Sequence, residues 1–178
     1  MGDLSVHPGA DALWPKPRKG KLMQADLVAP REMLDFHDAR GIDLPHPMTA
    51  LEGWTLAMRQ PLPGVALAFR IRDAISARFG VKRIGGFSGR MDQAPKVGDK
   101  LDFFEVERIE PEILTLSERD RHLDVVTCIT THGQRLTITS SVKVHNLFGR
   151  LYMIPVAPAH RLIVSALLRR MRRDIRGV

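Results

Sequence analysis

Between residues 101 and 145, apolar and polar side chains alternate, and short polar turns interrupt the alternation three times. The pattern predicts four strands, at Leu101–Ile109, Ile113–Ser117, His122–Thr131 and Arg135–His145. Strands joined by such short turns pair antiparallel, and a period of two predicts that one face of the sheet is buried. In the fourth strand the apolar face also carries one polar residue, Ser140.

Outside this meander, apolar positions follow the helical period of 3.6 residues. They predict helices at Pro47–Arg59, at roughly Pro63–Phe79 and from Pro158 to about Ile175. Because residues that precede prolines avoid the helical region, Leu151–Pro155 is expected to be extended and Pro158 to open the last helix. A weaker pattern at Met33–His37 predicts a short strand.

These elements predict an α+β fold in which the amphipathic C-terminal helix covers the apolar face of a curved antiparallel sheet. A gap between such a sheet and its helix is a natural ligand cavity. Residues 1–23 contain many Pro, Gly and Lys and show no periodicity, so they are expected to form a flexible N-terminal arm. Residues 24–178 are expected to form a single domain.

Composition narrows the classes of function. The single cysteine, Cys128, excludes a disulfide framework and a cysteine metal knuckle, and a cytoplasmic location is expected. The net charge of +7 is concentrated at the ends, since from Arg150 onward seven arginines face one acid, Asp174. These ends carry few aromatic residues, so no nucleic-acid partner is expected. No apolar run approaches the roughly 20 residues of a membrane span, so no transmembrane segment is expected.

Three motifs carry a resemblance to a known family. They are Asp120-x-His122-Leu123-Asp124, Val144-His145-Asn146-x-x-Gly149-Arg150-x-Tyr152 and Pro158-x-His160-Arg161-x-Ile163-Val164. The segment that contains them resembles the C-terminal half of a bacterial family of domains of unknown function, which also occurs fused behind NAD-binding Rossmann domains. The resemblance covers roughly Asp26 to Arg173 and departs from the family pattern at Ala159, where a phenylalanine is expected.

That family is in turn similar to the helix-grip superfamily of START and polyketide-cyclase-like (SRPBCC) proteins. The resemblance implies a seven-stranded sheet around a long C-terminal helix, with a hydrophobic cavity between them. It implies no catalytic assignment and no cofactor.

Two residues near the start of the last predicted helix are candidates for ligand binding or catalysis. His160 shares a stripe with Ile163 and Leu167, which is expected to face the sheet and line the cavity. The helix N-terminus would disfavour its protonated form and leave a neutral imidazole. Tyr152 could supply a hydroxyl to the cavity wall. The alternative is that each makes one structural hydrogen bond within the packing.

His122 and Asp124 are two residues apart on a predicted strand, so they are expected to share a face. They could orient one another as a general-base pair or ligand-binding pair, or they could belong to a cross-strand structural ion pair. The seven histidines show no metal-binding spacing, so no metal site is predicted.

Three functions remain open on the sequence. The first is binding of an apolar or amphipathic small molecule in the cavity. The second is a cyclase-like or hydratase-like enzyme that uses His160 and Tyr152 as acid–base groups. The third is an interaction module that docks through the basic C-terminal helix to an acidic partner, a membrane or a nucleic acid. A homodimer is compatible with each of them.

Overall fold

The computed structural model describes residues 24–59 and 95–176 of the chain. A 3-10 turn at Arg31–Met33 is followed by β1 and α1, and the second range holds the other strands and the long helix α2. The bounds are β1 Phe36–Asp43, α1 Ala50–Met58, β2 Lys100–Leu101, β3 Phe104–Glu110, β4 Ile113–Arg119, β5 Leu123–His132, β6 Arg135–Val144 and α2 Leu147–Arg176. The predicted helix at Pro63–Phe79 lies outside the described residues.

The strands form one antiparallel sheet of six strands in the order β1-β6-β5-β4-β3-β2 within the described ranges. Strands β3 to β6 form the predicted meander, and α2 packs against the sheet. The α+β fold class is confirmed, and the arrangement is consistent with a helix grip. The first predicted strand is divided into β2 and β3, because Asp102 adopts a left-handed φ of 58° between them.

Strand β1 begins three residues later than the predicted Met33–His37 strand and is longer. It pairs with β6 without interruption from Phe36 opposite Val142 to Asp43 opposite Arg135. A strand with the sequence FHDARGID has little alternation of its own. Its conformation therefore depends on the hydrogen bonds that β6 offers at the edge of the sheet.

The predicted start of the last helix is wrong. Helix α2 begins at Leu147, eleven residues before Pro158, and the segment expected to be extended is helical. Pro155 and Pro158 lie inside the helix and remove the donors for the carbonyls of Leu151 and Ile154. Residues 151 and 154 are both exposed, so water can hydrogen-bond those carbonyls and the helix continues.

Helices α1 and α2 cover the same face of the sheet. Trp54 and Ala57 of α1 and Val164, Leu168 and Met171 of α2 join one buried cluster with the apolar positions of the strands. Gly53 allows the close approach of α1, because a Cβ there would lie 2.1 Å from Cδ1 of Leu136. Arg170 links the helices by donating to the carbonyl of Ala57 at 2.7 Å.

The segment that contains Asp26 and Val28 lies on the opposite face of the sheet and hydrogen-bonds to its polar side chains. The backbone N–H groups of Asp26 and Val28 donate to Cys128 Sγ (3.3 Å) and Ser141 Oγ (3.0 Å). Thr115 Oγ1 donates to the Asp26 carboxylate at 2.6 Å. Burial raises the pKa of the Cys128 thiol above its ordinary value. This cysteine is therefore a structural residue.

One helix of the described residues, Leu147–Ile175, is long and apolar enough to cross a membrane by length and composition. The helix contains isolated arginines, so the expectation of no transmembrane segment, which rests on uninterrupted apolar runs, stays a prediction. Core helices of soluble proteins meet the same criterion. In this helix 17% of the apolar window is buried, and Val164, Leu168 and Met171 are its contributions to the core.

Candidate functional site

A row of polar side chains crosses the helix-covered face of the sheet. Asp38 of β1 is opposite Ser140 of β6, which in turn is opposite Thr127 of β5. The neighbouring rows on the same face are mostly apolar, since they include Val142 on one side and Ile138 on the other. We call Asp38, Ser140 and Thr127 the polar row. Ser140 and Thr127 are buried, with their hydroxyl oxygens 3.4 Å apart.

Two arginines bracket the carboxylate of the polar row. Arg40 Nε donates to Asp38 Oδ2 at 2.7 Å, and Arg40 Nη1 donates to Ser165 Oγ of α2 at 2.5 Å. Arg161 of α2 approaches the other oxygen of Asp38 at 3.8 Å. The hydrogen bond to Asp38 raises the pKa of Arg40. Two guanidinium groups and one carboxylate leave this edge of the interface with a net positive charge.

His160 lies beside the polar row in the contact between α2 and β1. Its ring meets the ring of Phe36 edge-on, with centroids 5.5 Å apart. The Arg161 guanidinium also lies 5.1 Å from the Phe36 centroid, as in a cation–π contact. The His160 Nδ1 atom is buried and has no hydrogen-bond partner among the described residues. Thr131 Oγ1 is the other such atom there, on β5.

Burial lowers the pKa of His160 below its ordinary value. The ring is therefore neutral at neutral pH. The neutral imidazole was predicted from a position in the first helical turn, and that reason is wrong because His160 is the fourteenth residue of α2. An unpaired buried nitrogen costs about 1–3 kcal/mol relative to a paired one. The unpaired Nδ1 therefore lowers the stability of the folded state by a free energy of this order.

A second cluster forms at the start of α2, and its residues are fully engaged with one another. Asn146 caps the helix, because its Oδ1 accepts from the N–H of Gly149 at 3.0 Å. Its Nδ2 donates to the Arg121 carbonyl at 3.0 Å. Arg121 Nε donates to His122 Nε2 at 2.9 Å, which places the ring proton on Nδ1. His122 Nδ1 then donates to Asn146 Oδ1 at 3.2 Å.

We call His122, Asn146 and Gly149 the helix latch. Gly149 is required there because a Cβ would lie 2.5 Å from the His122 carbonyl oxygen. Phe148 extends the latch, with its ring 4.7 Å from that of His122. Tyr152 stacks next to Phe148 at 6.3 Å. Tyr152 therefore belongs to the latch end of α2.

The two predicted pairs of site residues do not converge. His122 precedes β5 and contacts Asn146 within the latch, whereas the Asp124 carboxylate pairs with His145 at 3.2 Å and Arg119 at 3.6 Å on the face of the sheet away from α2. The structural ion pair predicted for Asp124 is present. Tyr152 and His160 are eight residues apart on one helix, or about 12 Å along its axis. Tyr152 lies beside Phe148 and His160 beside Phe36, and their joint acid–base role stays a prediction.

Two further predicted cavity residues, Ile163 and Leu167, lie one and two turns beyond His160. Ile163 is half-buried and Leu167 is buried. Leu167 therefore faces inward, as expected from the stripe, and Ile163 lies at the margin of the buried side of α2. Their role as ligand contacts stays a prediction.

Sequence reasoning did not identify Asp38, Arg40 and Thr127 as site residues. One signal was visible, since Ser140 interrupts an otherwise apolar face of the fourth strand. The pairing of β1 with β6 that puts Asp38 beside it was not visible. No group of three or more potential metal ligands lies within the part of the chain that the structure describes.

The fold and this interface define an α+β domain in which a six-stranded antiparallel sheet packs on a long C-terminal helix. The chain belongs to the DUF2867 family, which is described as proteins of unknown function, and the family model matches residues 31–167. No curated protein and no solved structure matches the chain. The predicted membership of a family of unknown function is confirmed. Similarity to the helix-grip superfamily stays a prediction.

Proposed function

We propose that this domain binds an amphipathic small molecule between the sheet and α2, with its polar group at the polar row and His160. The observation that carries the proposal is the buried Nδ1 of His160, which has no partner among the described residues and lies next to Phe36. A bound hydroxyl, carbonyl or carboxyl group would complete its hydrogen bonding.

The composition of the interface supports a ligand rather than stability alone. Binding sites for small molecules are mostly apolar and contain a few placed polar groups. Buried hydroxyls on the core face of a sheet cost desolvation energy, and the Thr127–Ser140 contact at 3.4 Å is too long to recover much of it. An apolar residue at either position would be expected if packing were the only requirement.

The charges favour a ligand with an acidic or strongly accepting polar group. Asp38 neutralises only one of the two guanidinium groups of Arg40 and Arg161. A ligand carboxylate could take the place of Asp38 in part, because guanidinium groups offer several donors in one plane. The apolar part would lie against Phe36 and the inward residues of α2, including Ile163 and Leu167. The helix-grip relation implied by the sequence motifs fits the same location.

The experiment compares ligand binding by the wild type with that of variants in the polar row. The probes are 1-anilinonaphthalene-8-sulfonate and saturated fatty acids of graded length, measured by fluorescence and calorimetry. Ser140→Ala and Thr127→Val remove hydroxyls without adding bulk, and His160→Phe removes the imidazole. Each should weaken the best probe about tenfold, as expected for one lost hydrogen bond in a buried site.

Thr137→Val is the matched control, because Thr137 lies on β6 but faces the other side of the sheet. It should leave the dissociation constant unchanged. Equal binding by the control and by all three site variants would place the ligand elsewhere. Absence of binding by the wild type, together with no small molecule in native mass spectra of the purified protein, would contradict the proposal.

A further inference from the structure

We propose that the outward face of α2 docks the protein on an anionic membrane surface. The face carries a stripe of large apolar side chains that the core does not use. The stripe consists of Leu147, Leu151, Ile154 and Leu162, each between 57% and 70% exposed. Grouped exposed apolar side chains of this kind mark a contact surface.

The stripe is separate from the core side of the helix. At 100° per residue, its four side chains fall within an arc of about 80°. The arc is centred roughly 140° around the helix from the buried positions, which include Val164, Leu167 and Met171. It extends about 22 Å along the axis. The helical period predicts that the apolar positions of this helix face the core, and the structure shows that α2 has a second apolar face.

The same outward face becomes basic toward the C-terminus. Arg169, Arg172 and Arg173 are exposed and lie on the continuation of the stripe. Helix α2 contains seven arginines and a single acid, Asp174. An apolar stretch followed by arginines is the pattern of a helix that lies in the plane of a membrane interface.

The arginines of α2 favour an anionic membrane over the other partners that could cover this surface. A second copy of α2 would cover the leucines but would bring only one carboxylate to seven arginines. A nucleic acid would satisfy the arginines but would leave the leucines and Ile154 in contact with phosphates and sugars. An anionic bilayer offers acyl chains to the stripe and phosphates to the arginines.

The core contacts of α2 fix the mode of binding. Val164, Leu168 and Met171 hold the opposite side of the helix on the sheet. The helix therefore lies on the surface and inserts only its exposed side chains. The length that would allow α2 to cross a bilayer is not used for crossing in this arrangement.

The test is flotation of the full-length chain with vesicles of phosphatidylcholine alone or with about one third phosphatidylglycerol. The wild type should float with the anionic vesicles, less so as salt is raised, and remain unbound to the neutral ones. The double variant Leu151→Glu, Ile154→Glu should lose binding by at least about tenfold. Arg169→Gln, Arg172→Gln and Arg173→Gln together should lower partitioning about a hundredfold, or about fivefold for each charge.

Val97→Glu is the matched control, because Val97 is an apolar residue of 63% exposure that lies off α2. It should float like the wild type, and all variants should melt at the same temperature, since every substituted side chain is exposed. Failure of the wild type to float with anionic vesicles would overturn the proposal. So would a wild-type dimer in light scattering that Leu151→Glu, Ile154→Glu converts to a monomer, because the stripe would then be a self-association surface.

Discussion

Two histidines, one at the start of α2 and one within it, differ in how completely they are hydrogen-bonded. His122, in the helix latch, contacts Arg121, Asn146 and Phe148. His160, beside the polar row, has an edge-on contact with Phe36 and a buried Nδ1 without a partner in the described part of the chain. We infer from this difference that His122 stabilises the fold, whereas His160 is the histidine that the proposed ligand would contact.

The largest expected effect tests whether the latch is structural. Gly149→Ala would place a Cβ 2.5 Å from the His122 carbonyl oxygen and 2.8 Å from Cγ1 of Val144. The first is a backbone atom, so the start of α2 must shift, and we expect a loss of about 3 kcal/mol in the free energy of unfolding. Urea unfolding of the purified variant measures it.

Gly133→Ala is the control for this prediction. Gly133 has a left-handed φ of 56° but open space around the missing Cβ. The substitution should cost only about 1 kcal/mol, from backbone strain alone. Equal losses for the two glycines would mean that the latch is not held by close packing.

The meander and the start of α2 differ in how far the sequence predicts them. The meander from β3 to β6 follows from alternation and short turns, which are local properties of the sequence. The start of α2 does not follow from local properties. The free-energy cost of Pro155 and Pro158 within the helix depends on whether water can hydrogen-bond the carbonyls that lose their donors, and this is a property of the whole fold. Asn146 could have served as a capping signal, but the prolines suggested an extended chain.

The polar row was hidden for a different reason. Ser140 could be placed on the apolar face from the alternation of one strand. Asp38 and Arg40 come from a strand about a hundred positions earlier in the chain, and only the pairing of β1 with β6 brings them beside Ser140. Because the sequence of β1 has little apolar alternation, it specifies that register only weakly.

An intermediate effect on the free energy of unfolding is expected from replacing His122, but not His160, with phenylalanine. His122→Phe breaks the bonds to Arg121 and Asn146, and we expect a loss of about 1.5 kcal/mol in the free energy of unfolding. His160→Phe removes an unpaired buried nitrogen, so stability should stay within about 0.5 kcal/mol of the wild type or rise. Urea unfolding of both variants gives the comparison directly. A larger loss for His160→Phe than for His122→Phe would reverse the assignment of roles.

The smallest effect is a pH dependence that belongs to His160. Burial lowers its folded pKa below the ordinary value of 6.5, whereas the unfolded chain keeps that value. Between the two values the unfolded state binds more protons, so the free energy of unfolding falls as the pH is lowered from about 6.5. Asp38 opposes the shift, and Arg40 and Arg161 add to it.

The urea midpoint should therefore fall more between pH 7 and pH 5 for the wild type than for His160→Phe, with the exposed His46→Gln as the control. Identical pH profiles for the wild type and His160→Phe would mean that the imidazole is hydrated in solution, and the distinction between the two histidines would then rest on packing alone.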